Sequence, residues 1–152
     1  MPSRRRKNVS AGVIDENAAI LRAAEALEQT LAYLVATRPR AWRLRLLRGC
    51  MHVSTLLRDH CEFAERPGGT LADVEIVIGR LDQLTVARRE HAQLMAHAAG
   101  LLAAINRAGD GPQPPADVPG WAAQLVTAIR RHCRNEVDLI QLRYILDIGV
   151  VD

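Results

Sequence analysis

The stretch Leu84 to Ile105, LTVARREHAQLMAHAAGLLAAI, decides the fold. Leu84, Ala87, His91, Leu94, Ala98, Leu101 and Ile105 follow one another at alternating steps of three and four residues. On a helix of about 3.6 residues per turn that stepping draws one unbroken stripe along one face, with arginines, glutamate and glutamine on the others. A long amphipathic helix, C, is therefore expected from just after Gly79 to about Asn106, packed on a core through that stripe. One member of the stripe, His91, is titratable.

Reading outward from helix C, the same pattern returns three times. Upstream, Leu46, Cys50, Val53, Leu57, His60 and Ala64 mark a helix B from about Arg40 to Glu65. Pro67-Gly68-Gly69 must interrupt it. Thr70 with Asp73 resembles a capping-box variant that starts a short piece over Leu71 to Ile78, and Gly79 permits the next turn. Further upstream, Ile20, Ala24, Leu27, Leu31 and Leu34 or Val35 mark a helix A starting near Asp15, an N-cap type of residue, and ending near Ala36. Residues 1–13, basic and then small and polar, read as a disordered arm ahead of a single domain over 14–150. Downstream, Gly109 to Gly120 is rich in Gly, Pro and Asp and serves as a helix-to-helix connection. Helix D then begins near Pro119 and carries Trp121, Leu125, Ala128 or Ile129, His132, Glu136 and Leu139 or Ile140 on its core face. Four long amphipathic helices with modest connections predict an all-α, antiparallel up-and-down four-helix bundle.

Composition agrees with that fold and removes several function classes. Hydrophobic residues make up 49% of the 152 positions and aromatics 3%, so Ala and Leu must do most of the packing. The formal charge of +3 is too small for an electrostatic nucleic-acid footprint, and the arginines of helix B are spread around its surface. The basic N-terminus leads into polar residues instead of an apolar run, and no segment reads as a membrane span. Three cysteines without regular spacing argue against a disulfide framework, and a cytoplasmic setting is expected. There is no Gly-rich phosphate loop, nucleophile elbow or paired CxxC. Whether the protein is an enzyme is left open.

What the composition leaves is a set of polar residues in core positions. His60, His91 and His132 fall on three different stripes, and Glu136 follows His132 by four residues on the same face. Buried alone, each of these groups is costly, so they must find partners or a metal ion. Their meeting depends on the connection between helices B and C. A hairpin turning at Gly68-Gly69 would leave His60 and His91 out of register by roughly 20 Å at about 1.5 Å per residue, whereas a turn near Gly79 brings them close to level. A shared site therefore requires the turn near Gly79.

His60 in helix B, Glu90-His91 in helix C and His132-x-x-x-Glu136 in helix D together resemble the hemerythrin-like, or HHE cation-binding, family, over about residues 15 to 150. The resemblance implies a four-helix bundle whose histidines and carboxylates hold non-haem iron, two ions in typical members, for O₂ binding, sensing or peroxide chemistry. The matching positions here are His60, His91, His132 and Glu136. Helix A contains no histidine, Ala64 stands four residues after His60, and Met95 stands four residues after His91. Glu62 and Glu65 are offset from His60 by about 200° and 140° around helix B. Three histidines and one carboxylate suit a single iron or zinc ion better than a bridged pair, with Cys61 and Cys133 as neighbouring thiols or simple packing residues. The expected function is a non-haem metal-binding protein with a sensory or redox-related role, its partners the metal ion or an O₂-type small ligand. The alternative is a degenerate, metal-free helical bundle that acts as an interaction or regulatory module on a protein partner or a second copy of itself.

Overall fold

A computed structural model describes residues 4–37, 40–78 and 81–148. It is built of helices throughout: α1 (Arg4–Thr37), α2 (Trp42–Glu65), α3 (Thr70–Ile78), α4 (Leu81–Arg107) and α5 (Val118–Ile148). The four long helices form a closed ring of neighbours, α1 on α2, α2 on α4, α4 on α5 and α5 on α1. Side-chain pairs show that each neighbour runs antiparallel to the last. Asn17 meets Glu136 and Glu28 meets Arg130 across α1 and α5. Trp42, at the start of α2, donates its indole N–H to the Gly111 carbonyl just beyond α4, at 2.8 Å.

The stripes do what their spacing requires. Leu46, Cys50, Val53, Leu57, His60 and Ala64 of α2 are all buried, as are Leu84, Ala87, His91, Leu94, Ala98, Leu101 and Ile105 of α4. In α1, Ile20, Ala24, Leu27 and Leu34 are sealed from solvent, while Val35 faces out. In α5 the inward face is turned slightly from the expected one. Ala122 is fully buried and Trp121 only partly, its ring lying against Gly100 of α4.

Two expectations are corrected. Helix α1 begins at Arg4 and not near Asp15; residues 1–3 lie outside the described residues. Arg, Lys and Ala are good helix formers, and a helix already anchored by packing extends at little cost. The anchor reaches Val13, which is fully buried. The second correction concerns Thr70, whose buried hydroxyl has no hydrogen-bond partner and so does not cap α3. Asp73 instead directs its carboxylate to Arg143 of α5, at 3.5 Å.

The α2–α3 break follows from Pro67-Gly68-Gly69. Gly68 has φ +75°, a left-handed conformation that a side chain would strain. At Gly69 a Cβ would collide with the carbonyl oxygens of Phe63, Ala64 and Arg66. The turn expected at Gly79 lies outside the described residues, but α3 ends at Ile78 and α4 starts at Leu81, on either side of it.

Two apolar cores result. The larger fills the half of the bundle around Leu27, Trp42, Leu101 and Leu125. The smaller joins Ala64, Leu71, Val74, Leu84 and Ala87, with Leu139 packed against it. His60, His91, His132 and Glu136 lie between the two, since along α2, α4 and α5 each falls between residues of one cluster and residues of the other.

Candidate metal centre

The four residues singled out by the stripes come together. His60 of α2, His91 of α4, and His132 and Glu136 of α5 are all buried, and one potential ligand atom from each lies within 4.8 Å of the other three. The imidazole centroids are 5.3, 5.4 and 4.7 Å apart, and every ring pair is tilted edge to face. Register across α2, α4 and α5 is therefore correct to within a turn.

Each ring is oriented by a carboxylate from the neighbouring helix. Glu16 of α1 accepts from Nδ1 of His60 at 3.3 Å, Glu65 of α2 from Nδ1 of His91 at 2.6 Å, and Glu90 of α4 from Nδ1 of His132 at 3.0 Å. The ring of neighbours is closed by α1, where Asn17 donates from Nδ2 to Glu136 Oε2 at 2.9 Å. The Cys133 thiol, donating to Asn17 Oδ1 at 3.7 Å, sets which way that amide faces. Glu90 is held in turn by Asn135, whose Nδ2 donates to Oε1 at 2.7 Å.

These bonds set the tautomer of a neutral ring. An ionised carboxylate only accepts, so each Nδ1 carries the proton and each neutral ring keeps its lone pair on Nε2. Burial holds the His91 pKa below its ordinary value despite the opposing effect of the Glu65 bond. Its Nε2 is buried with no hydrogen-bond partner. Nε2 of His60 and Nε2 of His132 face each other at 3.2 Å, close enough to share a proton or an ion. Glu136 Oε1 is likewise without a hydrogen-bond partner, 3.5 Å from His60 Nε2.

The donor set could hold a metal ion. Donors about 2.0–2.1 Å from an ion at tetrahedral angles lie roughly 3.3 Å from one another; the His60–His132 and His60–Glu136 pairs, at 3.2 and 3.5 Å, are close to that spacing, and the whole set lies within 4.8 Å. A carboxylate on the far nitrogen of each imidazole is the usual support of a metal-bound histidine.

The structure also separates these residues from their neighbours. Cys61 and Cys133 do not join the ligand group, and burial pushes both thiols up to about 12, which keeps them protonated. His52 is exposed, and His97 is half-buried beside Trp121, its ring centroid 6.5 Å away. The supporting residues were missed by sequence reasoning. Asn17 had a signal, because it lies three residues before Ile20 and four after Val13 and so continues the α1 stripe; starting that helix at Asp15 hid it. Glu16 and Glu65 had none, since they flank the stripes and reach a ring on another helix; Glu90 was named with His91 in the resemblance, but not as the partner of His132.

No family model, curated protein or solved structure matches this chain. The functional reading rests on the bundle and its buried His/Glu cluster.

Proposed function

We propose that this chain is a non-haem metal-binding protein of hemerythrin-like type that holds one iron or zinc ion in an N₃O site and serves a sensory or redox-related role. The observation that carries the reading is that one potential ligand atom from each of four buried residues, His60, His91, His132 and Glu136, lies within 4.8 Å of the others while all three Nδ1 atoms are already bonded to carboxylates. A proton would satisfy two of the four atoms. A metal ion satisfies all of them.

The residues divide the work. His60, His91, His132 and Glu136 would hold the ion, and Glu16, Glu65 and Glu90 fix the tautomer and direction of the rings. A bound ion would supply Lewis acidity and, if iron, a redox couple. Single-ion binding agrees with Ala64 and Met95 at the positions where further ligands would be needed for a second. The sensory or redox role rests on the resemblance noted from the sequence.

Metal analysis of protein expressed without a histidine tag, prepared both in air and anaerobically, tests the proposal. About one equivalent of iron or zinc per chain is expected. Less than a tenth of an equivalent of iron, zinc or manganese in both preparations would reject it in favour of a metal-free interaction module.

A further inference from the structure

Beside the cluster, a cleft of about 260 Å³ opens between α4 and α5. Its floor includes His132 and Glu136, and its walls include Val86, Ala87, Leu139 and Leu142. His60 and His91 do not line it, so this cleft meets the ligand group on its His132–Glu136 side. A water molecule takes about 30 Å³ of liquid. The cleft thus has room for several, far more than a diatomic gas needs.

The chemistry of the lining restricts what fits. Glu90, Glu136 and Asp138 contribute carboxylates, Gln83 and Asn135 contribute amides, and no lysine or arginine takes part. Glu90 is occupied on both oxygens, by His132 and Asn135. Outside the ion itself, an anion entering here meets Glu90, Glu136 and Asp138 and no lysine or arginine, so the lining opposes its entry and gives its charge no partner along the way. An uncharged molecule with an apolar body loses little and gains contact with Val86, Ala87, Leu139 and Leu142.

We propose that the α4–α5 cleft is the binding site for an uncharged small organic ligand, one with an apolar body and a single nitrogen or oxygen donor directed at the His132–Glu136 edge of the metal centre. This rests on the metal reading of the cluster. It adds an exogenous ligand of defined class and the side from which it arrives. Val86 sits at the rim, half exposed, and belongs neither to the ligand group nor to its supports.

Cobalt(II) loaded into the full chain gives a visible spectrum that reports on changes around the ion, and 4-methylpyrazole serves as a neutral azole probe. Addition of 4-methylpyrazole should shift the cobalt bands saturably, and acetate at the same concentrations should not. Val86→Trp, which fills the rim, should leave the cobalt spectrum of the ligand-free protein intact and weaken 4-methylpyrazole binding at least about tenfold, the loss of roughly one good contact. Cobalt bands that ignore 4-methylpyrazole, that respond as strongly to acetate, or whose response Val86→Trp leaves unchanged would overturn the cleft proposal while the metal centre stands. Absence of cobalt bands at one equivalent would overturn both.

Discussion

Along α4, Leu94, Ala98, Leu101 and Ile105 enter the larger core, while one turn before Leu94 the same stepping places His91 against two other imidazoles. α2 repeats the contrast, with Leu46, Val53 and Leu57 in the apolar half and His60 one turn further on. Periodicity brings residues to the bundle axis irrespective of their chemistry. In the apolar half, surface removed from water stabilises whatever is packed there. In the polar layer, burial is tolerable only because every ring has a carboxylate on one nitrogen, and it leaves the other nitrogen aimed at its neighbours. One half of the molecule stores stability, and the other stores unsatisfied ligand capacity.

Substitutions in the two halves should therefore fail in different measurements. The largest effect is expected at the ligands. His132→Ala should reduce bound iron or zinc from about one equivalent to a trace, and His97→Ala, on the same bundle but off the cluster, should leave occupancy unchanged. Equal losses in both variants would break the distinction between placed and incidental histidines. In the apolar half, Leu101→Ala removes a fully buried side chain and should cost about 2–5 kcal/mol. For a chain of this size that is a fall in Tm of roughly 5–15 °C, with metal stoichiometry per folded chain retained.

Smaller effects probe the supports and the boundary. Glu65→Gln keeps the shape of the group that orients His91 but weakens its acceptor, and should lower metal affinity about 10- to 100-fold with Tm of the metal-free protein nearly constant. Gly69→Ala drives a Cβ toward three carbonyl oxygens at the α2–α3 turn and should destabilise by about 1–3 kcal/mol. If thermal melts show no such loss, the turn geometry is wrong. The mildest test is chemical. Because burial pushes Cys50 up to about 11 and Cys61 and Cys133 to about 12, a disulfide reagent at pH 8 should label all three slowly in the folded chain and rapidly in denaturant. Rapid labelling of the native protein would mean that the layer around Asn17 and Cys133 is open to solvent.

The contrast also explains what could be read from the sequence. Stripes are local, so Leu84 to Ile105 was enough to place His91, and the analogous runs placed His60, His132 and Glu136. The carboxylates that make the cluster coherent are not local. Glu65 lies about 140° around its helix from His60, which rightly removes it as a partner for that ring and says nothing of His91, one helix away. Glu16 likewise points from α1 to α2, and Glu90 from α4 to α5. Helix starts were the other weak point. Asp15 has the chemistry of an N-cap, yet the chain is already helical at Arg4, and a cap residue inside a helix is only a solvated side chain.

The short α3 has a further consequence. It lies between the break at Pro67-Gly68-Gly69 and residues 79–80, and its burial comes from Thr70, Leu71 and Val74 with the Asp73–Arg143 contact to α5. So small a unit can open by itself while Leu27, Trp42, Leu101 and Leu125 stay packed. Amide exchange should then occur in two tiers, with α3 losing protection well before the centres of α2 and α4. An ion bound by α2, α4 and α5 would take no ligand from α3, so it should raise protection in those three helices and leave the early opening of α3 in place.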